Sequence, residues 1–424
     1  MSHTASGCQE NRWWTRFNRR RALQLGAIGG IGLSLSDLLR QESRAASSVN
    51  AKAKSVIFLW LQGGVSHHET FDMKPDAPAD VRGEMRPIST NMPGVFVGEQ
   101  LPRIATMMDK LAVIRSVTHT EAAHQRGCMY MVEGRQPPKA TGVEASGHPH
   151  MGCMVSHQLG MRNGVPAYVT NPGNDFTSRF VGHGYLPQTC VGFKGMNARS
   201  LEVASAIAPE RFSERVDLKA SLEACQSDGP ARFGPIWDRY SEQAIDIIHS
   251  GKAASAFDIS EESEATQRSY GILNESGAKQ GGQMGTLCLQ ARRLVEAGVR
   301  FVTVGRNSWD HHSNMFPQLR SRLPRVDAAM AGLIADLEAR GLLDETLVVY
   351  ASEFGRTPKI NAQAGRDHWP RVFSVAFAGA GIAAGQVIGA SDALGGEVAD
   401  FPVSPEELVA TILHLVGIHP QTEF

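Results

Sequence analysis

The sequence predicts an α/β fold, a doubly wound and mostly parallel sheet with helices on both faces. Three observations support it. Short, continuous apolar runs recur along the chain, as expected of strands buried on both faces of a parallel sheet. Stretches with apolar residues every three or four positions lie between them, which is helical spacing. Glycine supplies 43 of the 424 residues, above the usual share of roughly 7%, and this suits a loop-rich α/β chain.

The elements follow in order. "KSVIFLWLQGG" is an apolar run stopped by paired glycines, and "KLAVIRSVT" is the next strand-like run. "HTEAAHQRGCMYMVEGRQPP" reads as a loop feeding a short helix that stops at Gly134. "PAYVTN" predicts a third strand. From about 173 to 283 the pattern weakens and glycine, serine and charged residues dominate. A helical or irregular insertion is expected there. "MGTLCLQARRLVEAGVRFVTVG" then gives a helix, a glycine and a strand. In "PQLRSRLPRVDAAMAGLIADLEARG", Leu319, Leu323, Val326, Met330, Leu333 and Leu337 mark one helical face, and Gly341 is placed to cap its end. "ETLVVYASE" and "RVFSVAFAG" supply the last two runs. Alternating strands and helices predict a parallel sheet, and ligands in such folds gather beyond the carboxyl ends of the strands.

Residues 1–50 differ from the rest. Arg19 and Arg20 precede a glycine-diluted apolar stretch, and small residues near Ala45 and Ala53 offer cleavage points. This pattern predicts a twin-arginine signal peptide and linker, with residues 51–424 as a single domain carried to the periplasm or beyond. The stretch is too short and glycine-rich for a membrane span, so no stable span is expected after processing. With 42 basic and 43 acidic residues the net charge is −1, which gives no global field toward nucleic acid. Besides Cys8 in the leader, Cys128, Cys153, Cys190, Cys225 and Cys288 form no CxxC pair. Neither a disulfide framework nor a thiolate zinc cluster is signalled.

Polar clusters sit where the apolar runs end. The first run delivers Gln62, Ser66, His67, His68, Glu69 and Asp72; "FVTVGRNSWDHHSN" delivers Asp310, His311 and His312; "LVVYASEFGR" delivers Glu353 and Arg356; "GRDHWP" adds Asp367 and His368. A carboxylate and imidazoles from separate loops, completed by water, is how a catalytic divalent ion is held. Asp310, His312, His368 and Glu353 are therefore the expected ligands, and His311 alternates away from them. Glu69, Asp72 and Arg126 mark a further possible site. His124 and Arg126 fall near a helix start, where free backbone amides favour an anion. Ser66 lacks the GxSxG elbow of a serine hydrolase.

Taken together, "LQGGVSHHETFDMKPD", "WDHHSN", "SEFGRTP" and "GRDHWP" resemble the bacterial domain-of-unknown-function family 1501, over about residues 50–420. That family is placed near the alkaline phosphatase and sulfatase superfamily. The resemblance implies an alkaline phosphatase-like fold and a divalent ion, with zinc the expected metal. Carried over, Asp310, His312 and His368 stand where one ion's ligands stand. Gln62 replaces a metal-binding aspartate, Glu353-Phe354 replaces an Asp-His pair, and His124 occupies the place of the nucleophile. One ion site is thus kept and the other blurred.

These readings lead to an exported, metal-dependent hydrolase acting on a phosphate or sulfate ester, its substrate a small molecule or a glycan. Glu353 would bind the ion or orient water, Arg356 or Arg126 would neutralise the anion, and His124 would serve as acid/base or atypical nucleophile. The rival expectation is a non-catalytic exported protein that recognises an anionic glycan or a partner through a degenerate hydrolase site.

Overall fold

The structure, a computed structural model, describes residues 50–138, 147–170, 182–194, 209–225, 243–248, 250–279, 283–306, 308–419 and 421–424. Of the leader and linker expected over residues 1–50, residues 1–49 with the twin arginines lie outside them. So does much of the stretch expected as an insertion.

Ten strands matter for the site: β1 (Ser55–Leu61), β2 (Leu111–Val117), β3 (Tyr168–Thr170), β4 (Phe193–Lys194), β5 (Phe301–Arg306), β6 (Thr346–Ala351), β7 (Gly355–Arg356), β8 (His368–Trp369), β9 (Phe373–Ala378) and β10 (Gln386–Ile388). Eight form one sheet in the order β10-β2-β9-β6-β1-β5-β3-β4. All neighbours pair in parallel except β9, which runs against both β2 and β6. The remaining two, β7 and β8, form a small antiparallel ribbon that pairs Arg356 with His368.

Every residue of β1 is buried, because β1 is central and covered on both faces. Its side chains divide by alternation. Ile57, Leu59 and Leu61 face one core, built with α3 (Gln283–Ala297) and α4 (Met315–Ala339). Val56, Phe58 and Trp60 face the other, which contains residues of α1 (His124–Glu133), α2 (Met151–Leu159) and α5 (Pro405–Leu415). The helix ends are built by the expected chemistry. Gly134 adopts the left-handed conformation after α1, with φ 63°. After α4, the amides of Gly341 and Leu342 return to the carbonyls of Glu338 and Leu337, a Schellman closure in which Gly341 takes φ 67°. Ser404 and Glu407 form a capping box at the start of α5.

Within the stretch from about 173 to 283, the described residues hold helices Pro209–Cys225, Lys252–Phe257 and Glu264–Ser269. They also contribute β4, so this part of the chain extends the main sheet at its edge. The reversed direction of β9 has a simple cause. After β6 the chain stays at the carboxyl edge of the sheet through β7 and β8, with no crossover helix, and the next strand must run back down. That excursion keeps Glu353, Arg356, Asp367 and His368 at one edge.

Candidate metal centre

The loops after β1, β2, β5 and β6, and the segment that enters β9, all lie at this carboxyl edge. They bring together His124 at the first position of α1, Asp310 and His312 after β5, Glu353 after β6, and His368 in β8. Gly63 and Gly64 follow β1 and let the loops approach. Gly63 has φ 120°, and a Cβ there would stand 2.5 Å from the Asp310 amide nitrogen. Glycine is the residue that tolerates both the conformation and the contact.

Asp310 is the hub. Its Oδ1 lies 2.9 Å from His312 Nε2, 3.1 Å from His368 Nε2 and 2.7 Å from Arg356 Nη2. Its Oδ2 lies 3.1 Å from His124 Nε2, close enough for attraction but off the line of a hydrogen bond. Each imidazole is also held on its far side. His124 Nδ1 is 2.7 Å from Glu353 Oε1, His312 Nδ1 is 2.6 Å from Asp367 Oδ1, and His368 Nδ1 is 2.7 Å from the Ala122 carbonyl. Acceptors at Nδ1 fix the proton there and aim the Nε2 lone pairs inward. His312 Nε2 and His368 Nε2 then face each other at 3.0 Å. Two lone pairs that close repel unless a cation, a proton or a metal ion, sits between them and Asp310.

Ligand atoms of His124, Asp310 and His368 all lie within 4.8 Å of one another. Tetrahedral zinc with nitrogen ligands at about 2.0–2.1 Å would separate them by about 3.3 Å, so the donor set and spacing fit a divalent ion after small adjustments. In the absence of such an ion, burial pushes the His124 imidazole down. The carboxylates of Asp310 and Glu353 more than reverse this and raise it to about 9. A proton then takes the place a cation would fill. Burial alone would raise the Asp310 carboxyl, but contacts from His124, His368 and Arg356 hold it far below the usual range.

The expected residues divide under this geometry. Glu353 is fully buried; the Gly63 amide donates to both its oxygens, at 2.8 and 3.0 Å, and the Ser352 hydroxyl oxygen lies 3.1 Å from Oε2. It therefore meets the cluster through His124 and stands behind the ligands. Arg356 requires a correction as an anion-neutralising group. It is 1% exposed, and its guanidinium is spent on the carbonyls of Gly63, Gly64, Trp309 and Arg366 and on Asp310. Arg126 is likewise engaged, with Glu121 and the carbonyls of Pro137 and Pro138.

Glu69 and Asp72 do not join the cluster. Glu69 is buried against Arg366, 2.6 Å from Nη2, and Asp72 pairs with Lys74 at 3.0 Å and accepts from Ser391. Both carboxylates are thus held in buried ion pairs away from the cluster, Glu69 through Oε1 alone. His311 turns away to the Arg322 guanidinium, 3.0 Å distant.

Three contributors have roles that the sequence did not assign: Asp367 and Phe354, seen there without these roles, and His119, not singled out. Asp367 holds His312. Phe354 lies against both His124 and His368, with ring centroids 5.1 and 4.5 Å apart, as an apolar wall. His119 accepts from the Glu121 amide at Nδ1, so its Nε2 donates to the Glu353 carbonyl at 2.7 Å. The doubled histidine of "HTEAAH" was the available signal for His119.

Fold and site together define an α/β protein whose sheet edge carries a His/Asp group able to hold a metal ion. Residues 53–424 match the family described as a protein of unknown function, DUF1501, and the chain belongs to that family. Comparison with curated protein sequences returns no match. Among solved structures, it is similar to the PsFucS1 sulfatase from Pseudoalteromonas sp., at 13% identity and TM-score 0.39, over 90% of this chain and 71% of that one. Similar too is alkaline phosphatase from the Antarctic bacterium TAB5, at 13% identity and TM-score 0.40, over 86% and 98%. A protein in the alkaline phosphatase superfamily from Vibrio parahaemolyticus shows 11% identity and TM-score 0.41, over 87% and 68%. Among the described residues, no helix is long and apolar enough to cross a membrane.

Proposed function

We propose that this protein is a metal-dependent hydrolase, exported by the twin-arginine route, whose site holds one divalent ion and acts on phosphate or sulfate esters of small molecules or glycans. One observation supports this above the rest: three Nε2 atoms converge on the Asp310 carboxylate while each Nδ1 is held by an acceptor. In this reading His124, His312, His368 and Asp310 are the ligands, and zinc suits their nitrogen-rich set. Glu353, Asp367 and the Ala122 carbonyl orient the imidazoles. A divalent ion there would supply Lewis-acid polarisation of an ester oxygen and acidify water.

The chain's own residues favour water over a covalent route. Cys128 is buried in the core. Ser352 is tied to the Leu61 carbonyl and to the amides of Gly64 and Val65. His124 has both ring nitrogens turned to carboxylates. With the Arg356 guanidinium spent inside the fold, the charge of the ester falls to the ion itself.

Metal analysis of purified chain, followed by a screen of phosphate and sulfate esters, tests the reading. About one ion per chain and a metal-dependent ester hydrolysis that vanishes in His368→Ala are expected. Two stoichiometric ions with a covalent adduct on Cys128 would refute it. Metal-free protein that still binds a sulfated or phosphorylated glycan unchanged would establish the binding-protein alternative.

A further inference from the structure

Away from the metal cluster, at the amino end of β3, lies a cavity of about 730 Å³ lined by Ser156, His157, Met161, Cys190, Phe193 and Gln243 among others. Its volume falls within the roughly 300–1,000 Å³ of small-molecule sites. Cys190 is 4% exposed, and its Sγ lies 3.5 Å from Nδ1 of His157, an exposed residue on the last turns of α2. A buried cysteine among apolar neighbours is inert, whereas one beside an imidazole can give up its proton and become a nucleophile. Cys153 and His157 are four residues apart on α2 and share its face. Burial and the nearness of Cys190 raise the Cys153 thiol to about 12, so Cys153 remains protonated beside it.

We infer that Cys190 and His157 form a second, thiol-based site at which a low-molecular-weight disulfide entering this cavity is exchanged into a mixed disulfide with Cys190. His157 Nδ1 accepts the Cys190 proton. The thiolate attacks one sulfur of the disulfide, a new S–S bond forms as the old one breaks, and the departing thiolate recovers the proton from His157. The incoming disulfide is the oxidant: one of its sulfurs stays on Cys190 and the other leaves as a thiol. The mixed walls, with amide, hydroxyl and apolar side chains, suit a small polar ligand with an apolar middle.

The test uses reduced, full-length chain carrying Cys8→Ser and Cys225→Ser, incubated with glutathione disulfide and read by intact-mass and peptide mass spectrometry across a pH series. One adduct per folded chain, mapped to Cys190, is expected. His157→Asn, a change at an exposed position, should slow adduct formation about tenfold at pH 7 and move its pH profile upward. Cys190→Ser should abolish the adduct. An adduct mapped to Cys128, Cys153 or Cys288 would overturn the inference. So would an unchanged rate and profile in His157→Asn, or a folded chain that stays unmodified while urea-unfolded chain reacts fully.

Discussion

At His124, His312 and His368 the decisive contact is the one made away from the cluster. An imidazole whose Nδ1 is unclaimed can rotate or change tautomer, and its Nε2 then has no fixed direction. Here Glu353, Asp367 and the Ala122 carbonyl settle both questions. Glu353→Gln keeps an oxygen near His124 and the Gly63 amide but removes the charge that strengthens the ring as a ligand. Isothermal titration with zinc should show affinity weakened about 10- to 100-fold, the usual cost of losing such a partner; an unchanged affinity would remove Glu353 from the site. The places of Asp310 and His312 were legible because polar residues shortly after a buried run fall at the sheet edge, whereas His368 reaches that edge only through the long excursion between β6 and β9. Sequence misassigned Arg356 for a physical reason. An arginine five residues past a buried strand reads as a cation for substrate, and nothing local records that four carbonyls and Asp310 would enclose it.

Elements marked by a continuous apolar run were readable, including the three-residue β3, and those without one were not. Six apolar runs correspond to β1, β2, β3, β5, β6 and β9, whereas β4, with two residues, and β10, with three, carry no pattern of their own. Strand direction is also silent in the sequence: β9 has the same apolar character as β6, and only the edge-bound excursion before it reverses it. Helix α2 shows an element whose start depends on protonation. His150 is its N-cap, accepting the Gly152 amide at 2.8 Å through Nδ1, and its ring stacks on Tyr168. Burial depresses its pKa to about 3. Below the unfolded value of about 6.5 the unfolded chain binds a proton that the folded chain refuses, so stability falls as pH drops toward 3 and is fully present above 6.5. The loss from this one residue should reach about 2 kcal/mol at pH 5. His150→Asn retains a capping acceptor without a titrating group. Urea unfolding from pH 7 to 5 should therefore show a shallower pH slope in the variant than in the parent; equal slopes would mean that His150 is protonated in the fold.

Across the whole molecule, the cluster joins segments that are far apart in the chain: residues 118–124, 308–314, 352–356 and 366–369 meet there and nowhere share a strand register except in the β7–β8 ribbon. A cation held among them would act as a clasp on the sheet edge. Three imidazoles and a carboxylate come together only in the folded chain, so an ion that binds them binds the native state and stabilises it by mass action. At a free concentration a hundred times Kd the gain is about 2.7 kcal/mol, which for a domain of this size amounts to about 3–4 °C in Tm. Chelated protein should melt lower by that amount, regain it with zinc in a concentration-dependent way, and lose the response in His312→Ala and His368→Ala. Cys128→Ser, at a buried core position one helical turn from His124, should keep the response in full even if its own Tm shifts. If chelation and added zinc leave Tm unchanged at every concentration, no ion is held at this edge and the hydrolase reading falls with it.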